Sequence, residues 1–168
     1  EQTLVADVLA PAHGTVVDID NDNDLDVLVA VLGNIEPDDG VIGRLLLLEN
    51  TGDQYKESII LDDVRRVADV QPGDFDSDGD LDLAVAVFGY NRGQVLWLEN
   101  RANGHFLEHE LLSGPGIIHV PVADFDNDGD LDMYLVNHKV GFTEANKLRV
   151  KQEEDGSTSR YSTPETPF

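Results

Sequence analysis

The sequence predicts an all-β fold: a propeller-like array of four-stranded antiparallel blades, about three repeats of them, forming an incomplete ring. Three observations predict it. A nine-residue string of alternating aspartates occurs three times, as "DIDNDNDLD" at 18–26, "DFDSDGDLD" at 74–82 and "DFDNDGDLD" at 124–132. A second string keeps step with it, "LLLLEN" at 45–50 and "VLWLEN" at 95–100. Between these markers stand short apolar runs punctuated by Gly, Asn and Asp, the pattern of strands joined by tight turns. Four such strands in a period of about 40 to 50 residues is how a propeller blade reads in sequence.

Taken in chain order, "TLVADVL" at 3–9 precedes the first aspartate string as "FLEHELL" precedes the third. Residues 1–12 are therefore assigned to a strand that completes a preceding or neighbouring blade. Repeat 1 covers 13–66 and repeat 2 covers 67–116. The second and third strings begin 50 residues apart and the first and second 56 apart. The extra residues lie in "NIEPDDGVIG", whose Pro, Asp and Gly read as a longer turn. In repeat 2 the strands are "LAVAVFG", "QVLWLEN" and "HFLEHELL", with the aspartate string joining the blade's first strand to its second. A partial repeat 3 covers 117–150, starting with "IIHVPVA" and "DMYLVN" but carrying no "LEN". Residues 151–168 are polar and read as a loop or tail.

Composition narrows the partners. The 168 residues are 40% hydrophobic, enough for a packed core. The 34 acids against 11 bases give a net charge of −23. Such a surface disfavours nucleic acid, whose phosphates need clustered Lys and Arg, and favours cations. No cysteine is present, so disulfides and thiolate chemistry are excluded. The longest apolar run, near "VIGRLLLLEN", is short and carries Arg44, so no membrane span is expected. The chain starts at Glu1 without an apolar leader, as a mature secreted protein or a fragment does.

The aspartate strings have the chemistry of a hard-cation site. Carboxylates at positions 1, 3 and 5 of a short loop turn toward one centre, and Ca²⁺ takes six to eight oxygen ligands. These are Asp18, Asp20 and Asp22; Asp74, Asp76 and Asp78; Asp124, Asp126 and Asp128. The main-chain carbonyls of Asp24, Asp80 and Asp130 and the carboxylates of Asp26, Asp82 and Asp132 complete the proposed shells. Position 6 needs a positive φ, supplied by Gly79 and Gly129, whereas Asn23 does so with some strain. Two carboxylates about 4 to 5 Å apart repel by roughly 3 to 4 kcal/mol at an effective dielectric near 20, so the loops call for a cation. Three Ca²⁺ ions are expected. An EF-hand is excluded, because position 12 holds Val29, Val85 or Leu135 instead of Glu.

Three DxDx[DN] loops in register, closed at position 9 and leading into strands, resemble the metal loops of FG-GAP repeats, the integrin α-subunit propeller type, and of the related VCBS repeats. The resemblance covers about residues 3–137. It implies a β-propeller, bound Ca²⁺, and a secreted or cell-surface role in adhesion or as an accessory module beside enzymes. The function expected is thus an extracellular calcium-binding repeat protein with a structural, adhesive or assembly role. Its partners are further copies of itself or another extracellular macromolecule, glycans included. The alternatives are an accessory propeller portion of a larger secreted polysaccharide-active enzyme, or a carbohydrate-binding module. No nucleophile elbow, phosphate loop or His-rich zinc pattern is present, and no enzymatic activity is expected.

Other residues carry weaker signals. His13, Asp69 and His119 each lie five residues before the first aspartate of their loop and read as ordinary strand residues near the propeller axis. Trp97 and Phe106 read as blade core, and Tyr90, Asn91 and Arg92 as an exposed turn. "NKLRVK" at 146–151 reads as a solvated basic face. With few blades to cover them, Leu46, Leu48, Leu96 and Leu98 are expected on exposed blade faces, inviting association.

Overall fold

Each aspartate string leads into a run that is apolar on both sides, and that run becomes the second strand of an antiparallel sheet. In the computed structural model, which describes residues 4–5, 7–36, 39–101, 104–138, 149–152 and 158–161, β1 (Pro11–Val17), β2 (Asp26–Val31), β3 (Gly43–Asn50) and β4 (Tyr55–Val64) form one four-stranded sheet in chain order. β5 (Arg66–Gly73), β6 (Asp82–Phe88), β7 (Gly93–Asn100) and β8 (Phe106–Gly114) form a second. All pairings are antiparallel. No helix occurs among the described residues, and none is long and apolar enough to cross a membrane. The architecture is all-β, with blade-like sheets of the propeller kind.

Strand alternation decides how the sheets stack. Leu28, Ala30, Leu45 and Leu47 point from the first sheet into a core shared with Leu83, Val85, Leu96 and Leu98 of the second. The opposite face of the second sheet offers Ala84, Ala86, Val95 and Trp97 to Ile117, Val120, Met133 and Leu135 of the third unit. Trp97 is thus core, at 8% exposure, while Phe106 is half-buried at the edge of the first cluster. The expectation of exposed leucines is corrected. Leu46, Leu48, Leu96 and Leu98 are all buried. Leu96 and Leu98 face the first sheet, and Leu46 lies on that sheet's other side, in an open cleft lined also by Val8, Leu9 and Val31.

The insertion in repeat 1 has a place of its own. Asp39 accepts from the Asn91 amide at 2.9 Å and from Asn91 Nδ2 at 2.8 Å. Arg66, buried at the head of β5 and 4.3 Å from the Phe88 ring centroid, donates from Nη1 to the Glu36 carbonyl at 2.5 Å. The longer turn therefore fastens the first sheet to the second, and the Tyr90–Asn91–Arg92 turn is the point it grips.

The third unit is fragmented. β9 (Ile117–His119) pairs with β12 (Val136–Asn137), and β10 (Val122–Ala123) pairs with β11 (Asp132–Met133). Pro121 interrupts the run because it has no N–H to donate to a ladder, although its carbonyl still accepts from the Tyr134 amide at 2.9 Å. Two further expectations are revised. Residues 151–168 are not all loop: β13 (Arg149–Gln152) and β14 (Thr158–Tyr161) pair as an antiparallel two-stranded sheet. The basic stretch 146–151 falls outside the described residues up to 148. At the other end, residues 4–5 and 7–10 form no strand. Asp7 and Ala10 have φ of 61° and 52°, which breaks an extended run, and the Leu9 and Ala10 carbonyls instead accept from Gly33 and Leu32.

Candidate metal centres

A short loop packed with carboxylates must turn its backbone sharply while giving each amide an acceptor. The three strings solve this alike. Positions 4 and 6 are both left-handed: Asn21, Ser77 and Asn127 have φ of 60°, 61° and 60°, and Asn23, Gly79 and Gly129 have 71°, 96° and 98°. The left-handed position 4 escaped the sequence reading, although Asn, Ser and Asn are turn formers. Asn23 adopts the conformation that glycine supplies in the other two loops.

The first aspartate organises the turn. Asp18 accepts from the amides of Asp22 and Asn23 at 3.1 and 2.9 Å. Asp74 accepts from Asp78 and Gly79 at 3.2 and 3.1 Å, and Asp124 from Asp128 and Gly129 at 3.1 Å each. The carboxylate at position 5 caps the amide two residues on: Asp22 to Asp24 at 2.8 Å, Asp78 to Asp80 at 2.9 Å, Asp128 to Asp130 at 3.1 Å. These bonds leave oxygens of Asp18, Asp20 and Asp22 within 4.8 Å of one another, and likewise those of Asp74, Asp76 and Asp78. In the third loop the converging set is Asp124, Asp126 and Asp132. Hard carboxylate oxygens in mutual reach fit a hard divalent cation.

The aspartate at position 9 has a second task. Asp26 is 1% exposed; its Oδ2 accepts from the Ile19 amide at 3.1 Å and its Oδ1 from the Asn50 amide at 2.7 Å. Asp82, also 1% exposed, accepts in the same way from Phe75 at 3.2 Å and Asn100 at 2.7 Å. The asparagines then reach back to the loop, Asn50 Nδ2 to the Leu25 carbonyl at 3.4 Å and Asn100 Nδ2 to Leu81 at 3.1 Å. This explains the recurring "LEN" string, whose Asn is a residue of the site that sequence reasoning noticed without assigning a role. Asp132 accepts from Phe125 at 3.1 Å. Among the described residues no asparagine amide answers Asn50 and Asn100 there, and it is in this loop that the carboxylate at position 9 joins the converging set.

Charge crowding leaves a trace in proton affinity. Asp20 and Asp76, at position 3, lie above the ordinary aspartate value of 3.8, through burial first and then repulsion from neighbouring carboxylates. Asp82 is also raised, burial outweighing the amides of Asn100 and Phe75. In the metal-free protein these groups bind protons more tightly folded than unfolded. Stability is therefore gained as pH falls through the raised values and is complete below the ordinary one. Protein stripped of metal and exchanged into calcium-free buffer should rise in melting temperature as pH falls from 7 through the raised values, read by differential scanning calorimetry; a falling melting temperature over that range contradicts this.

The family model for FG-GAP-like repeats matches residues 18–85 and again 74–135. No curated protein and no solved structure matches the chain. The two matches overlap at the middle aspartate loop, and each begins at the first aspartate of a loop. Together they span more than half of the chain, over the stacked sheets and their aspartate loops, and the chain belongs to the FG-GAP-like repeat family.

Proposed function

We propose that this chain is an extracellular calcium-binding repeat module whose ions rigidify the loops between the first and second strands of each blade, and whose role is structural, adhesive or in assembly. The observation that carries the reading is the convergence of three carboxylate oxygens within 4.8 Å in each of three equivalent loops. A pair of like charges at that distance repels by about 3.5 kcal/mol at an effective dielectric near 20, which a divalent cation reverses. Ca²⁺ is the ion proposed, because every donor is a hard oxygen and the loops are irregular enough for its tolerant geometry.

The proposed ligands are the carboxylates at positions 1, 3 and 5, the main-chain carbonyls of Asp24, Asp80 and Asp130, and the carboxylates of Asp26, Asp82 and Asp132. In Asp26 and Asp82 each oxygen accepts from one amide, and a carboxylate oxygen has a second lone pair with which to meet an ion. The proposed partners are further copies of the chain or another extracellular macromolecule, glycans included. Exposed Phe125 and Tyr134, their rings 6.4 Å apart, support this as contact residues beside the third loop. Carboxylates committed to a cation are poor proton donors, so the proposed role is binding, not catalysis.

Titration calorimetry on chelator-treated protein tests the metal reading. Three Ca²⁺ per chain are expected, the first loop binding weakest because Asn23 replaces glycine, and Asp78→Ala should lower the count by one. A stoichiometry of one or none overturns the reading.

A further inference from the structure

Outside the metal loops, His13, Asp69 and His119 hold equivalent places in successive repeats, five residues before the first aspartate of each loop. They stand on β1, β5 and β9, the first strands of the three units. The ladder register shifts immediately before both His13 and Asp69, between Pro11 and His13 and between Val67 and Asp69. Bulges of this kind re-aim side chains. Here they aim at one another across the stack.

Asp69 is the shared acceptor. His119 Nδ1 donates to its Oδ2 at 2.5 Å and the Val120 amide donates to the same oxygen at 2.9 Å. Its Oδ1 accepts from Gln71 Nε2 at 3.0 Å and has His13 Nε2 at 3.6 Å. The carboxylate is buried, whereas the side chains of His13 and His119 are 40% and 45% exposed. The trio is a bridge and not a chelate: among the described residues only the three aspartate triads bring ligand atoms together within 4.8 Å. Two further contacts follow the same path. Thr15 Oγ1 donates to the Val70 carbonyl at 2.9 Å. A Cβ placed on Gly73, the residue before Asp74, would meet Leu131 of the third loop at 2.8 Å.

We propose that this bridge couples the metal loops of neighbouring repeats, so that a cation bound in one loop raises the affinity of the next. The proposal rests on the calcium reading above. A loop emptied of its cation repels itself, and the strand that feeds it frays from the loop end. Fraying of β5 as far as Asp69 withdraws the acceptor from His119 on β9 and from Val120 just after it, which in turn loosens the chain feeding 124–132. The bridge is two-state, because a buried carboxylate separated from its donors is costly. The coupling is reciprocal, as linkage requires.

A double-mutant cycle read by Ca²⁺ titration calorimetry tests it. Asp126→Ala, which removes a member of the third loop's converging set, should weaken Ca²⁺ binding at the second loop about fivefold or more when Asp69 is intact. In an Asp69→Asn background the same substitution should change that affinity less than about twofold. If Asp69→Asn loses its β-sheet circular dichroism, His119→Gln, at a half-exposed position, serves as the second background with the same expectation. An undiminished effect in these backgrounds assigns the communication to the Gly73–Leu131 contact and overturns the proposal. Absence of any Ca²⁺ binding by the unsubstituted protein overturns the calcium reading and this proposal together, an outcome distinct from intact binding without coupling.

Discussion

Chelation with EGTA should lower the unfolding free energy by about 4 kcal/mol relative to protein in 1 mM Ca²⁺. At a dissociation constant near 10⁻⁴ M, as in extracellular modules, each ion stabilises the folded state by roughly 1.4 kcal/mol, and three loops act together. That is a large share of the ~5–15 kcal/mol by which domains of this size are stable. The effect is reinforced by what remains when the ions leave. Third-position Asp20 and Asp76 are raised in pKa by burial and like charge even among amide donors, so the empty loops hold strained electrostatics that the unfolded chain relieves. Urea titrations followed by Trp97 fluorescence, with and without Ca²⁺, measure the difference. Equal midpoints would sink the idea that cations hold these loops.

Asp82→Ala should destabilise the protein by about 2–4 kcal/mol even in EGTA, because the amides of Phe75 and Asn100 lose their shared acceptor in a site 1% exposed. Part of that cost is offset, since the buried charge is also removed. Were Asp82 a ligand and nothing more, the substitution would leave metal-free stability unchanged. The comparison in EGTA therefore separates the two tasks of the aspartate at position 9. Asp76→Ala, by contrast, removes a repelled carboxylate, and in EGTA it should be neutral or stabilising.

Much of this protein was legible in its residues because the relevant physics is local. Alternating aspartates at 18–26, 74–82 and 124–132 specify a turn with converging oxygens whatever surrounds them, since covalent spacing and short-range amide bonds set the geometry. The strands were legible for the same reason: "LAVAVFG" and "QVLWLEN" have the apolar content and punctuation of β6 and β7 in any context. The repeat of "LEN" announced a second conserved-spacing element of the unit, but its meaning depends on Asn100 meeting Asp82 across a hairpin.

Contacts between distant residues were decided only by the tertiary structure. Leu96 and Leu98 are buried because a neighbouring sheet covers the face that alternation gives them, and no local pattern says which face is covered. Segment 3–9 carries strand-like residues, yet Asp7 and Ala10 turn left-handed and the carbonyls of Leu9 and Ala10 serve the turn at 32–33, because a strand exists only where another offers its ladder. The bridge from Asp69 to His119 spans 50 residues. The sequence by itself determined the loops, the repeat period and the all-β character, since these follow from side-chain chemistry at fixed spacing. Which strands meet, which leucines are covered and where the buried carboxylates find their donors follow from the stacking of one repeat on the next, a relation between residues that spacing along the chain does not encode.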